Sequence, residues 1–311
     1  MTDWAKLVKD TLGQFTTSVL PPNMKLPALP QAVTQFIQAS SDPNVDLKVL
    51  GKIIETDSGL TMELLKHVNS AHFGLTKRVS SPQQALSLLG MSPARNLLIA
   101  VGTKAAIQSR QSKLINQSSF WVAALQKAIF AREIATMIGA DPDVAFNGAL
   151  LQDFLLPVVT NELYDKYLNF IQQRDKTALD IWNFEQTAFG WDHALAGACI
   201  AKSWKLPDEL ICCIMFHHVG LDILSHDELS NTAVAAVALS ALLPDQMRQC
   251  FQGLEQLLAL EAKWPAFNLR DMAEIVDAKQ ETSGLGVRND FPLSRRCKGI
   301  FEQTPAAAMA R

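Results

Sequence analysis

Segments in which apolar residues recur with the period of an α-helix run through the whole chain, and capping residues mark their ends. This pattern constrains the fold more than any other feature. Apolar residues recur every three or four positions, which is the spacing of one face of an α-helix. Asp46 stands where an N-cap is expected, and Asp57 or Ser58 opens the next helix. Gly90 and Gly102 stand where helices are expected to stop. Alternating strand patterns are hard to find. The sequence therefore predicts an all-α fold.

Longer helices are predicted in the second half of the chain. One covers about residues 119–138 and ends at Gly139. The segment 146–159, FNGALLQDFLLPVV, reads as a single buried helix with one carboxylate, Asp153, in its middle. A buried charge is costly unless it is paired or bound to something. Asp153 is therefore the first candidate for a functional residue.

Composition and charge exclude several classes of protein. The 311 residues carry a net charge of -3, which provides no general field for nucleic acid or an anionic membrane. The N-terminus lacks the features of a signal peptide, and no run approaches the roughly 18 uninterrupted apolar residues of a spanning helix. Five cysteines without regular spacing argue against a disulfide framework. We expect a cytoplasmic protein with reduced thiols that binds neither nucleic acid nor membrane.

Several motifs follow one another in a recognisable order. Residues 26–101 contain LPALP, then IIETDSGLTMELLKHVNSAHFG, then SSPQQALSLLG and RNLL. This order resembles the N-terminal part of the HDOD domain, a relative of the HD metal phosphohydrolases. The motifs GALLQDF and FGWDHALAGACIAKSWKLPDELICCIMFHH extend the resemblance, which covers roughly residues 20–240. It implies a multi-helix HD-like bundle with an N-terminal helical subdomain, a bacterial origin and a role in signalling.

The predicted organisation has five parts, with a soft boundary near residues 108–119. They are an N-terminal helix (1–20), the N-terminal helical part of the HDOD domain (21–110), the HD-like helical part (111–245), C-terminal helices (246–285) and a poorly ordered tail (286–311). The tail is predicted because its Gly, Arg and Ala residues show no period.

The resemblance also points to a site. A catalytic HD enzyme holds one or two metal ions with His and Asp ligands. Four of these positions are kept here: Asp153, His193, His217 and His218. Gln152 stands where the His of the His-Asp pair would be, and its amide oxygen is a poor ligand for a transition metal. The stretches 122–124 and 235–243, where further ligands would fall, contain none.

Three hypotheses about function follow from this incomplete ligand set. In the first, Asp153 is buried against His193 or His217 without any metal or cofactor, and the protein is a non-catalytic regulator that acts through a protein partner. In the second, the four kept residues bind a divalent metal and hydrolyse a nucleotide or cyclic dinucleotide. In the third, the four kept residues and Gln152 line a vestigial pocket, left by the lost metal site, that binds an anion or nucleotide without turnover. The sequence names neither the partner nor the oligomeric state.

Overall fold

The computed structural model describes residues 2–13, 15–22, 24–42, 44–70, 73, 75, 77–108, 112–282 and 289–303. Within these ranges the chain forms α-helices and short 3-10 turns and contains no β-strand, which confirms the all-α prediction. None of the helices in the described ranges has both the length and the apolar character needed to cross a bilayer.

Six helices make up the N-terminal part of the fold. They are α1 (Trp4–Leu12), α2 (Gln31–Ala39), α3 (Leu47–Glu55), α4 (Ser58–Val68), α5 (Pro82–Leu89) and α6 (Met91–Gln108). The predicted N-caps are in place, since the Asp46 carboxylate accepts from the Lys48 amide and the Asp57 carboxylate accepts from the Leu60 amide. Helices α2 to α6 pack on one another through their apolar faces.

Eight helices form the HD-like part around a central helix. They are α7 (Gln117–Ile138), α8 (Pro142–Leu151), α9 (Leu156–Glu162), α10 (Tyr164–Thr177), α11 (Ile181–Phe189), α12 (His193–Ser203), α13 (Asp208–Met215) and α14 (Ala233–Ser240). Helix α7 is buried along most of its length and packs against α8 and α14. It ends at Gly139, whose left-handed backbone closes the helix as predicted. Because α6 also packs on α8, the two parts share one core.

Four more helices follow, and two of them lie in the predicted tail. They are α15 (Gly253–Lys263), α16 (Leu269–Thr282), α17 (Leu293–Arg296) and α18 (Lys298–Gln303). The Asp277 carboxylate of α16 accepts from the amides of Leu293 and Ser294 and so holds the start of α17. Residues 289–303 of the predicted tail thus contain two helices, while 286–288 and 304–311 lie outside the described residues. Because the cap of α17 comes from Asp277 on another helix, the residues near α17 show no periodic pattern that would predict it.

Gly102 does not end a helix, as the sequence pattern suggested, because α6 continues to Gln108. Its role is a close approach between helices. A Cβ built on Gly102 would lie 2.7 Å from Cγ2 of Val33, a buried residue of α2. Helix contact, and not helix termination, therefore requires glycine at this position.

We expect Gly102→Ala to lower the free energy of unfolding by about 1–3 kcal/mol, the usual cost of overpacking a core. The methyl group would force Val33 or the whole of α2 to shift. Urea unfolding followed by circular dichroism measures the loss. Gly299→Ala is the matched control: its Cβ would meet no atom within 4 Å. That variant should be neutral or slightly stabilising, and an equal loss in both variants would contradict the close-packing account.

Candidate functional site

Asp153 lies at a break between two helices. Helix α8 ends at Leu151, residues 152–155 form turns, and α9 begins at Leu156. The single helix predicted over 146–159 is therefore wrong. Pro157 explains the break, because proline has no N–H and its ring clashes with the carbonyl four residues earlier, which here is that of Asp153. The break turns the Asp153 carboxylate inward, where the residue is only 5% exposed.

His193 connects Asp153 to a second buried carboxylate. It is the first residue of α12, directly after the N-cap Asp192. Its Nε2 lies 3.3 Å from Asp153 Oδ1, and its Nδ1 lies 2.7 Å from Oε2 of Glu185 on α11. Burial alone would lower the pKa of His193, but the two carboxylates raise it to about 10. The ring is therefore a cation at neutral pH.

Glu185 is itself held by several donors. The carboxylate is completely buried and accepts from the Tyr167 hydroxyl at 2.6 Å and from the His193 backbone amide at 2.9 Å. Burial, followed by the Glu185 charge, raises the pKa of Tyr167 well above its usual value, so this phenol remains a donor. These contacts fix the orientation of the His193 ring.

His217 and His218 complete a group of three imidazoles at the end of α13. His217 Nδ1 faces the Ile214 carbonyl at 2.6 Å and must donate to it, which directs Nε2 to Asp153 Oδ1 at 3.3 Å. His218 Nε2 lies 3.1 Å from His193 Nε2, and its ring stacks on Trp182. Burial, with the neighbouring His217 and His193, holds the pKa of His218 well below its usual value. The neutral His218 can thus accept the His193 proton.

An ammonium group occupies the other side of Asp153. Lys127, in the middle of α7, has a side chain that is only 2% exposed. Its Nζ lies 2.8 Å from Asp153 Oδ2 and 2.8 Å from Oδ2 of Asp245. Burial alone would lower the pKa of Lys127, but the two carboxylates raise it above its usual value. The lysine thus bridges two buried carboxylates as a cation.

The groups around Asp153 also determine its charge. Burial by itself would raise the pKa of this carboxyl group, but Lys127, His193 and His217 hold it well below its usual range. Gln152 completes the surroundings: its Nε2 donates to Asp153 Oδ2 at 3.3 Å, and its Oε1 accepts from the Ser240 hydroxyl at 3.4 Å. Asp153 is therefore ionised. Its Oδ1 lies beside the His193 and His217 rings, and its Oδ2 lies beside the Lys127 ammonium and the Gln152 amide.

A second carboxylate reaches Lys127 from the loop that follows the stretch 235–243. Helix α14 ends at Ser240, and Asp245 reaches the site from beyond it. Gln249 Nε2 donates to the same Asp245 oxygen at 2.7 Å. In the stretch 122–124 no ligand appears, and Lys127, about one helical turn further along α7, serves the site instead. Neither stretch holds a ligand, but Lys127 and Asp245, which lie just beyond them, both reach the surroundings of Asp153.

The donor set fits a single metal ion better than a pair of them. Among the described residues, the nitrogens of His193, His217 and His218 lie within 4.8 Å of one another, and two of these rings are oriented by groups on Nδ1, as metal ligands usually are. On the Lys127 side, the ammonium takes the place that a second cation would need. The cavity there measures only about 10 Å³. It has no room for an organic ligand, which tells against a nucleotide bound beside Lys127.

Comparison with known proteins identifies the family. A family model described as the HDOD domain matches residues 26–219. The chain belongs to the HDOD family. An uncharacterised protein of Treponema pallidum (strain Nichols) is 28% identical over 195 residues, which are 62% of this chain and 37% of that protein. This HDOD chain thus matches little more than a third of the length of its Treponema relative.

Solved structures show the same fold. A protein of Shewanella amazonensis SB2B, provisionally described as a phosphohydrolase, superposes with a TM-score of 0.65 at 23% identity and covers 88% of this chain and 97% of its own. An HDOD domain protein of unknown function from Geobacter sulfurreducens gives a TM-score of 0.63 at 19% identity, with coverages of 92% and 97%. At these identities the likeness establishes the HD-like fold of this HDOD chain and nothing further.

The structure brings together all five residues that the sequence suggested, and it adds three that sequence reasoning missed: Lys127, Glu185 and Asp245. A signal for Lys127 was present. It is a lone charge within the apolar stretch FWVAALQKAIFA, the same pattern that singled out Asp153. Asp245 lies in a loop without period, and nothing in the sequence of this HDOD chain links it to α7.

Proposed function

We propose that this HDOD protein is a non-catalytic regulator that acts by binding a protein partner. One observation carries the proposal: the Lys127 ammonium bridges Asp153 and Asp245 at 2.8 Å each. In an HD enzyme the carboxylate at the position of Asp153 is a metal ligand. Here an internal cation neutralises that carboxylate, and its positive charge would repel a metal ion bound to the same group.

Gln152 supports the same proposal. A histidine at this position would offer a nitrogen to a metal, whereas the Gln152 amide is engaged with Asp153 and Ser240. The site then stabilises the fold at the centre of the HD-like part. The regulatory activity would lie on the helical surface, as expected for a family with a role in signalling.

We expect untagged protein to contain far less than one equivalent of transition metal by elemental analysis, and Lys127→Met to bind more Zn²⁺ than the natural chain. Removing the ammonium relieves the repulsion and leaves Asp153 next to three imidazoles. Equilibrium dialysis against Zn²⁺ measures the difference, with the exposed Lys298→Met as control. Zinc uptake by Lys127→Met no greater than that of the control would contradict the role assigned to the ammonium.

A metal-dependent phosphohydrolase is the second candidate, and the convergence of the three imidazoles favours it. In that case untagged protein would carry about one equivalent of transition metal. Asp153→Ala would lose this metal, and the exposed Asp271→Ala would retain it. Hydrolysis of a nucleotide or cyclic dinucleotide that vanishes together with the metal would replace the regulatory proposal with this one.

A further inference from the structure

A second cavity lies on the far side of the Asp245 loop from Lys127. It measures about 350 Å³, within the range of small-molecule sites, and is bordered by α10, α15 and the C-terminal helices. Three arginines line it: Arg174, Arg248 and Arg296. Among the described residues that line the cavity, Glu255 is the one acid. The cavity is therefore suited to an anion.

The three arginines are held in different ways. Arg174 donates to the Met247 carbonyl, and Arg296 donates to the Gln126 side chain, so both guanidinium groups are anchored by the protein. Arg248 is exposed, and its backbone adopts a left-handed conformation with φ of 47°. Residues other than glycine rarely occupy this region. Burial lowers the pKa of Arg296, and a bound anion would offset that effect.

Apolar side chains form the rest of the wall. Leu179, Leu242 and Leu254 line the cavity together with Phe251, a large apolar residue that is 46% exposed. An exposed phenyl ring beside guanidinium groups can stack on a flat ring system whose charged group the arginines bind. The cavity thus combines positive charge for an anionic group with an exposed ring that can stack on an attached aromatic ring.

One short segment borders both this cavity and the Lys127 site. From residue 244 to residue 250, the side chains of Pro244, Arg248 and Cys250 line the arginine cavity, whereas Asp245 and Gln249 line the space beside Lys127. A ligand that moves Arg248 would therefore act on the same segment that carries Asp245. This position suits an input site of a regulator.

We infer that the cavity lined by Arg174, Arg248 and Arg296 binds a phosphomonoester that carries a planar aromatic ring, of the size of a nucleoside monophosphate. The arginines would hold the phosphate, and Phe251 would contact the ring. The proposed anion site uses none of the residues that surround Asp153. Its test therefore does not depend on whether Lys127 excludes a metal.

Isothermal titration of the whole protein tests this with AMP, GMP, CMP and UMP, with adenosine and inorganic phosphate as partial ligands. At least one mononucleotide should bind with a Kd below about 1 mM. Arg248→Gln should weaken that binding about tenfold or more, the effect of one charge-assisted hydrogen bond. Phe251→Ala should weaken it about fivefold or more and leave phosphate binding unchanged. Arg295→Gln is the matched control, since Arg295 neighbours Arg296 but is exposed and lies outside the cavity.

Several results would overturn the inference. They are absence of binding by all four mononucleotides, adenosine binding as tightly as AMP, and inorganic phosphate binding as tightly as AMP. An equal loss in Arg295→Gln and Arg248→Gln would point to general surface charge and would overturn it as well. Circular dichroism of each variant confirms that the comparison is made between folded proteins.

Discussion

Lys127→Met should lower the free energy of unfolding by about 3–5 kcal/mol, the usual effect of removing one partner from a buried ion pair. Methionine fills a similar volume but carries no charge. Asp153 and Asp245 would then face each other across the site without the ammonium that now lies 2.8 Å from each. His193 and His217 still contact Asp153, so Asp245 is the carboxylate that loses most. The shift of the urea midpoint at neutral pH measures the effect.

A matched lysine elsewhere on the chain provides the control. Lys298 pairs with Glu302 on α18, but its side chain is 70% exposed, and such pairs contribute about 0–1 kcal/mol. Lys298→Met should therefore change stability little. Restoring neutrality should also recover much of the loss, so the triple variant Lys127→Met, Asp153→Asn, Asp245→Asn is expected to be more stable than Lys127→Met alone. Equal effects of Lys127→Met and Lys298→Met would show that the buried bridge is not formed.

Glu185→Gln should cost about 3–5 kcal/mol near pH 6, where it leaves a protonated His193 without its nearest carboxylate. The folded pKa of His193, about 10, is higher than the ordinary value of 6.5 in the unfolded chain. The stabilisation is therefore complete below about pH 6.5 and is lost as the pH rises through about 10. The stability difference between the natural chain and Glu185→Gln should accordingly narrow between pH 6 and pH 10.

Two measurements check this second prediction. Urea unfolding of both proteins across the pH range gives the narrowing difference, with the exposed Glu302→Gln as a control that should show neither the loss nor the pH dependence. Proton NMR of the natural chain follows the His193 ring directly and needs no substitution. A ring that titrates near pH 6.5 would contradict the assignment of His193 as a buried cation.

Much of the fold could be predicted from local patterns. The N-caps at Asp46 and Asp57 and the stop at Gly139 depend on residues within one helical turn, so the sequence carries them directly. The apolar period likewise predicts helices, because each helix must bury one face. The pattern failed at Gly102 and Pro157. There, a neighbouring helix and the geometry of one proline decided the outcome.

In the candidate site, too, some features follow from the local sequence and others from tertiary contacts. By itself, the sequence determined that the chain is helical, that it resembles the HDOD domain and that Asp153 stands as a charge in apolar surroundings. Only the tertiary structure decided what compensates that charge, because Lys127 is 26 residues away from Asp153 and 118 residues away from Asp245. The energy of a charge inside a protein depends on its neighbours in space. Packing of α7 against the turn after α8 and the loop after α14 supplies those neighbours.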